Sequence, residues 1–368
     1  MKTQPEFDQL VGHSHAVDTK VELRAADGAA VAVLPVEAGT VVGDATRRVG
    51  RWSGTVTVAG LDWAPDGPTH PLAGLSGHYC SVQRAGTGYG AAPAWVEVAR
   101  LWVVETQVQM SRRGGSLQVR LESPAALLDR AVHDDYQVHR ADSAQQTITR
   151  VLSQHLPYTP TVLDTSTAAT LPADWAPTDT TPDRVADDLA AAVNCRVYFD
   201  ALGRIVIRPT LPSLDLATFT PSRHVDVDVD VVSYTLTFGR DQFANDATAR
   251  YDWQDTTGAR QTIVGRAAIT SGPLRKDGPA GRLTVDRRVD GPTTQQQADA
   301  YAQAMLTAQS QAWVQSSIDA VQDPRVEPDD VIETRYLDRT LRHRVVQVRF
   351  DLRTDAMQLT ARTNVGSP

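Results

Sequence analysis

Apolar and polar residues alternate along most of the stretch from Val17 to Leu121. The runs VELRA, VAVLP, WSGTVTVAG, WVEVARLWVVE and SLQVRLES place apolar side chains mostly at every second position, with glycine, proline and aspartate between the runs. Successive side chains of a strand point to opposite faces, so this period predicts antiparallel strands with one face in a core and one in water.

The period changes after Ala141. Ser143 and Gln146 stand at capping-box spacing, and Ile148, Val151, Leu152 and Leu156 form a helical stripe that Pro157 ends. A loop rich in Thr, Ala and Pro runs to Thr180. Pro182 then suits a first helical turn, and Val185, Leu189, Ala192 and Val193 make a second apolar stripe. This helix leads into CRVYFDALGRIVIRPT, where Tyr198 and Phe199, then Ile205, Val206 and Ile207, flank Ala201, Leu202 and Gly203. That order reads as strand, tight turn, strand, with glycine tolerating the positive φ of a short loop.

Alternation returns in HVDVDVDVVSYTLTFG, ATARYDW, RQTIVG and RLTVDRR. A third helix is predicted from Thr293 or Thr294 to near Trp313, with Ala298, Tyr301, Ala302, Met305 and Ala312 on one side. VQSSIDAV, DVIETRYL, RHRVVQVRFDL and AMQLTART finish the chain as strands. The predicted class is β-rich α+β. It divides into a β-rich region over 1–140, a small α+β domain of two helices and a hairpin over 141–212, and a second β-rich region over 213–368 that includes the helix at 294–314.

With 368 residues, 41% of them hydrophobic, the chain has length for two to four domains. No apolar run of about 18 residues marks a membrane span, and MKTQPEFDQL lacks the basic and apolar segments of a secretory signal. A soluble chain made in the cytoplasm, without stable membrane insertion, is expected. The net charge of −8 argues against a role that depends on neutralising phosphates. A conduit that lets nucleic acid pass without holding it remains compatible. Cys80 and Cys195 are too few for a disulfide framework or a thiolate zinc site.

The candidate chemistry is sparse. GTGYG at 86–90 lacks the following Lys and Ser/Thr of a phosphate loop and reads as a strand connection. His13 and His15 have no ligand-spaced partners, and Cys80, beside His78 and Tyr79, reads as a small strand hydrophobe without a base. Asp226, Asp228 and Asp230 alternate with valines, which puts three carboxylates on one strand face about 7 Å apart, a solvated acidic face. Arg47, Arg48 and Arg51 form a cluster suited to salt bridges or subunit contacts.

The order of the pieces says more than any one of them. ATRRVGRWSGTVTVAGLDW, WVEVARLWVVE, the helix before HLPYTP, TTPDRVADDLAAAVNCRVYFDALGRIVIRPT, TTQQQADAYAQAMLTAQ and the close DPRVEPDDVIETRYLDRTLRHRVVQVRFDLRTDAMQLTART together resemble the tail-hub proteins of long-tailed bacteriophages. These are the siphophage minor tail proteins related to the baseplate hub of contractile tails. The resemblance runs from about Val17 to Arg362.

It implies two tube-like antiparallel β-barrel domains with a small α+β insertion, and a homotrimer at the tail tip presenting six similar barrels to a hexameric tail tube. It also implies a virion protein assembled in the host cytoplasm, with no catalytic centre, cofactor or metal. The implied partners are the tail tube or distal tail protein, the tape measure protein and the central fibre or tip proteins, with DNA passing through without specific binding. On that reading Asp226, Asp228 and Asp230 line the channel, and Arg47, Arg48, Trp52 and Trp102 are interface candidates. The alternative is a tail-tip hydrolase or carbohydrate-binding module acting on the host cell wall.

Overall fold

The computed structural model describes residues 16–87, 94–111, 114–129, 138–166, 168–177, 180–210, 223–225, 231–239, 243–255, 257–310, 314–336 and 339–364. The alternating runs near the start form β1 (Ala16–Arg24), β2 (Ala30–Leu34), β3 (Val36–Asp44), β4 (Trp52–Ala59), β5 (Tyr79–Thr87), β6 (Ala94–Ser111) and β7 (Gly114–Glu122). Buried and half-buried residues alternate without a break along β4, as its sequence requires.

A short helix, α1 (Ala125–Leu128), leads to α2 (Ala144–Ser153), β8 (Val162–Asp164), α3 (Pro182–Ala192), β9 (Cys195–Phe199) and β10 (Ile205–Pro209). The Ser143 hydroxyl accepts from the Gln146 backbone N–H at 3.4 Å and caps α2, whose Ile148, Val151 and Leu152 are buried. The β9–β10 turn is organised by Asp200, whose carboxylate accepts from the backbone of Leu202 and Arg204 at 2.9 Å each, while Gly203 takes φ +73°. β8, β10 and β9 form a small mixed sheet against α2 and α3, with a core of its own.

The rest of the chain builds β11 (Arg223–Val225), β12 (Val231–Phe238), β13 (Asp246–Gln254), β14 (Arg260–Ala268), β15 (Thr284–Asp290), α4 (Gln295–Ser310), β16 (Val314–Val321), β17 (Val331–Tyr336), β18 (Arg339–Asp351) and β19 (Ala356–Asn364). β14, β13 and β15 make a second small sheet with α4 lying on it. Gly265 permits that approach, since a Cβ there would stand 2.0 Å from the Ala298 carbonyl oxygen.

The two β-rich regions are one sheet. Its main path runs β12-β16-β19-β18-β3-β4-β7-β6-β5-β1-β2, with β11 and β17 branching from β18. The join is the antiparallel pairing of β18 with β3, from Gln347 opposite Asp44 to Asp351 opposite Thr40. The path has two ends, β12 and β2, and no barrel closes among the described residues. Register shifts between β1 and β2, β3 and β4, β5 and β6, β6 and β7, β12 and β16, and β18 and β19 add local bend and twist. The sheet therefore rolls, and residues from both halves share one core, from Val21 and Leu101 to Ile318 and Leu359.

Two buried arginines hold the roll. Arg84 of β5 donates to the Leu352 carbonyl at 2.9 Å and also reaches Thr19, Gln322 and the Thr354 carbonyl, so it ties β1 and β5 to the turns beside β16, β18 and β19. Arg51, just before β4, donates to Asp329 at 2.6 Å and lies 3.6 Å from the Tyr198 ring centroid. Asp329 also pairs with Arg208 of β10, and with Arg196 of β9 at 3.5 Å. One carboxylate thus joins the first strands, the α+β unit and the C-terminal segment. Burial alone would raise the Asp329 carboxyl, but Arg51, Arg196 and Arg208 override it and hold the group well below the usual carboxylate range.

Removing this carboxylate leaves buried cations uncompensated, so Asp329→Asn is expected to cost about 3–5 kcal/mol of unfolding free energy, read by denaturant titration. Because the folded pKa is depressed, the stabilisation is fully present above the ordinary aspartate value of about 4 and is lost as the pH falls below it towards the folded value. Thermal melts from pH 7 to pH 3 should show a steeper acid loss for the wild type than for Asp329→Asn, and parallel curves would rule this role out.

Candidate functional site

The outer strands of the large sheet carry exposed apolar side chains. Among the described residues β2 pairs only with β1, and β12 only with β16. On β2, Val31 is 44% and Val33 58% exposed; on β12, Val232 is 81% and Phe238 61% exposed. Unpaired backbone N–H and C=O groups flanked by apolar side chains form a template for another strand. Charge or proline commonly blunts such edges, and neither β2 nor β12 carries a charged residue or a proline.

The interface candidates fall into two groups. Arg47 and Arg48 are exposed in the turn after β3, and Arg48 lies 3.5 Å from Asp187 of α3. Trp52 is only 2% exposed and belongs to the large core, and Trp102 is 1% exposed. Trp102 packs between Tyr79 and Tyr158, both with ring centroids at 5.1 Å, and the Tyr158 hydroxyl donates to the Gly203 carbonyl at 3.0 Å. Both tryptophans are buried within this chain, which leaves little side-chain surface for a neighbouring copy; Trp102 joins the sheet to the β9–β10 turn. Asp226, Asp228 and Asp230 lie outside the described residues, as do His13 and His15.

The enzymatic alternative needs accessible groups in reacting geometry. His343 sits among hydroxyls, with Thr334 at 2.7 Å from Nε2 and Thr363 and Ser316 at 2.8 and 3.1 Å from Nδ1. Sequence reading missed this cluster because its members come from β16, β17, β18 and β19. It resembles a nucleophile–base pair only superficially. Hydroxyls occupy both ring nitrogens where a triad would place an orienting carboxylate on one, and Ser316, Thr334 and His343 are fully buried. Burial pushes the His343 imidazole down to about 4, so it stays neutral at physiological pH.

Cys80 is likewise fully buried, and burial pushes its thiol up to about 12, far from a reactive thiolate. No group of three or more metal-ligating side chains occurs among the described residues. A cavity of about 390 Å³ beside Trp175 and Trp253 contains Asp188, Asp252 and Asp290, but Arg184 and Arg288 engage these carboxylates in ion pairs. Burial and the neighbouring Asp187 and Asp290 raise the Asp188 carboxyl to about 7. These groups form a charged seam between α3 and β13–β15.

No protein-family model and no curated protein matches the chain. Solved structures do match along nearly its whole length. The tail protein from Neisseria meningitidis MC58 is similar at 12% identity and a TM-score of 0.63, covering 95% of this chain and 97% of that one. The prophage MuSo2 43 kDa tail protein from Shewanella oneidensis is similar at 13% identity and a TM-score of 0.60, covering 93% and 98%. The prophage tail protein gp18 from Listeria monocytogenes EGD-e is similar at 10% identity and a TM-score of 0.53, covering 95% of each chain. The chain has the fold of these tail proteins.

Proposed function

We propose that the chain is a structural tail protein that works as a homotrimeric hub at the tail tip. The observation that carries this reading is the large sheet whose two end strands, β12 and β2, each pair with a single neighbour among the described residues and carry exposed apolar side chains. A surface that offers one edge at each end suits head-to-tail contacts, and such contacts close into a ring when the rotation between copies divides a full turn. Closure would hide the exposed valines and Phe238 and remove the open edges without any change of fold. The likeness to tail proteins over nearly the whole chain supports the same reading.

In this hub the tube-like character expected of the β-rich regions comes from assembly. The ring joins the tail tube or distal tail protein on one side to central fibre or tip proteins on the other, and the tape measure protein and then DNA occupy its bore. Asp226, Asp228 and Asp230 face that bore, where like charge keeps phosphates from sticking. Arg47 and Arg48, exposed beside the β3–β4 turn, contact a neighbouring copy or the adjoining ring.

Light scattering on the eluting protein is expected to give three times the chain mass for the wild type and one chain mass for Val232→Lys combined with Phe238→Lys, with unchanged circular dichroism. A wild-type monomer at micromolar concentration would sink the trimer. For the bore, gel-shift titration with duplex DNA at low salt should show no complex for the wild type and a complex for the variant with lysine at 226, 228 and 230. Wild-type binding as strong as the variant's would overturn the acidic passage.

A further inference from the structure

A cavity of about 410 Å³ opens where α4, β9, β15 and the C-terminal strands meet. Arg196 of β9, Arg344 of β18 and Arg362 of β19 line it together with Asp329. Arg51 and Arg208 hold the same carboxylate, so five guanidinium groups lie in the field of one buried aspartate. Asp286 is the other carboxylate in the lining and is exposed. Arg287 beside it is matched by Asp187 at 2.7 Å.

The lining residues thus include four arginines and two aspartates, at a place where solvent is partly excluded. Burial pushes Arg344 down to about 10 and lowers Arg362 as well, because a cation loses water on entering the protein. The lining also holds the buried Nε of Arg362 and the buried Oγ1 of Thr210, which have no hydrogen-bond partner among the described residues. Buried donors without acceptors are uncommon and call for an explanation. On the other wall Ala304, Met305 and Ala308 of α4 supply an apolar surface that strengthens electrostatic contacts nearby.

We propose that this cavity binds a small multivalent oxyanion of the phosphate class. Guanidinium groups present paired N–H donors that match the oxygens of phosphate, and several converging on one cavity favour an anion with more than one charge. The volume exceeds the needs of a single phosphate and falls in the range of small-molecule sites, which suits pyrophosphate or a larger phosphate ester. The inference stands on the cavity alone and does not depend on the hub reading.

The test is calorimetric titration of the full chain with sodium pyrophosphate, at ionic strength matched by sodium chloride. The expected result is one saturable site per chain, weakened about tenfold or more in Arg362→Gln and unchanged in Arg349→Gln, which alters an exposed arginine of β18. Arg362→Lys, which keeps the charge but loses the planar fork, should fall between them, and it decides the matter if Arg362→Gln does not fold by circular dichroism. Absence of saturable heat in the wild type, equal weakening by Arg349→Gln, or citrate binding as tightly as pyrophosphate would overturn the proposal.

Discussion

The structure turns on the carboxylate of Asp329. It lies buried at a left-handed backbone position, φ +74°, and receives guanidinium groups from the start of β4 and from both strands of the small hairpin. An isolated buried charge is prohibitively costly, so the segments that carry these partners have to arrive together. That requirement links the first strands, the α+β unit and the C-terminal segment. The same arrangement leaves more guanidinium than carboxylate charge in the adjoining cavity. Structural joining and surplus charge thus have one origin.

The rolled sheet follows from the same convergence. Once β3 and β18 pair, the early and late strands share a core, and Arg84 holds the two sides of the roll through buried carbonyls. A strand path with two ends is incomplete in a particular way. On the proposed reading, strands from other copies satisfy it, whereas a deep reactive cleft would require converging polar groups open to solvent. Cys80 and the Ser316–His343 cluster are shut inside and neutral at physiological pH. Their hydrogen bonds and packing join strands of the large sheet.

Trp102 serves contact between units of one copy. Its indole lies between Tyr79 of the sheet and Tyr158 of the α+β unit, close to where Gly203 turns the hairpin. The hairpin is docked there by further bonds, from the Phe199 N–H to the Val49 carbonyl at 3.0 Å and from the Arg100 N–H to the Ala201 carbonyl at 2.7 Å. A helix running straight into a plain hairpin therefore has a physical purpose: the turn is a plug against the large sheet, and its side chains need shape more than reactivity.

Local pattern was enough to place most of the elements, but not α1, or β8, which stands in the stretch that reads as a loop before Thr180. The Ser143 cap, Pro182 in the first turn of α3, the turn at Gly203 and the alternation in β4 act over a few residues, and each stands where the sequence put it. Strand pairing was not legible in this way, because period-two alternation says which side chains share a face and nothing about which distant strand lies alongside. β3 meets β18 some 300 residues later in the chain, and Arg51 meets Asp329 across a separation of 278. Val31 and Val33 make the same point, since their alternation reads as core although they lie exposed on an end strand. The sequence alone therefore determined the β-rich α+β inventory and the absence of a strong catalytic signature. Only the tertiary structure decided that the two β-rich regions are one sheet, which tryptophans are enclosed and where cationic charge gathers, because those outcomes depend on the desolvation and packing of residues far apart in the chain.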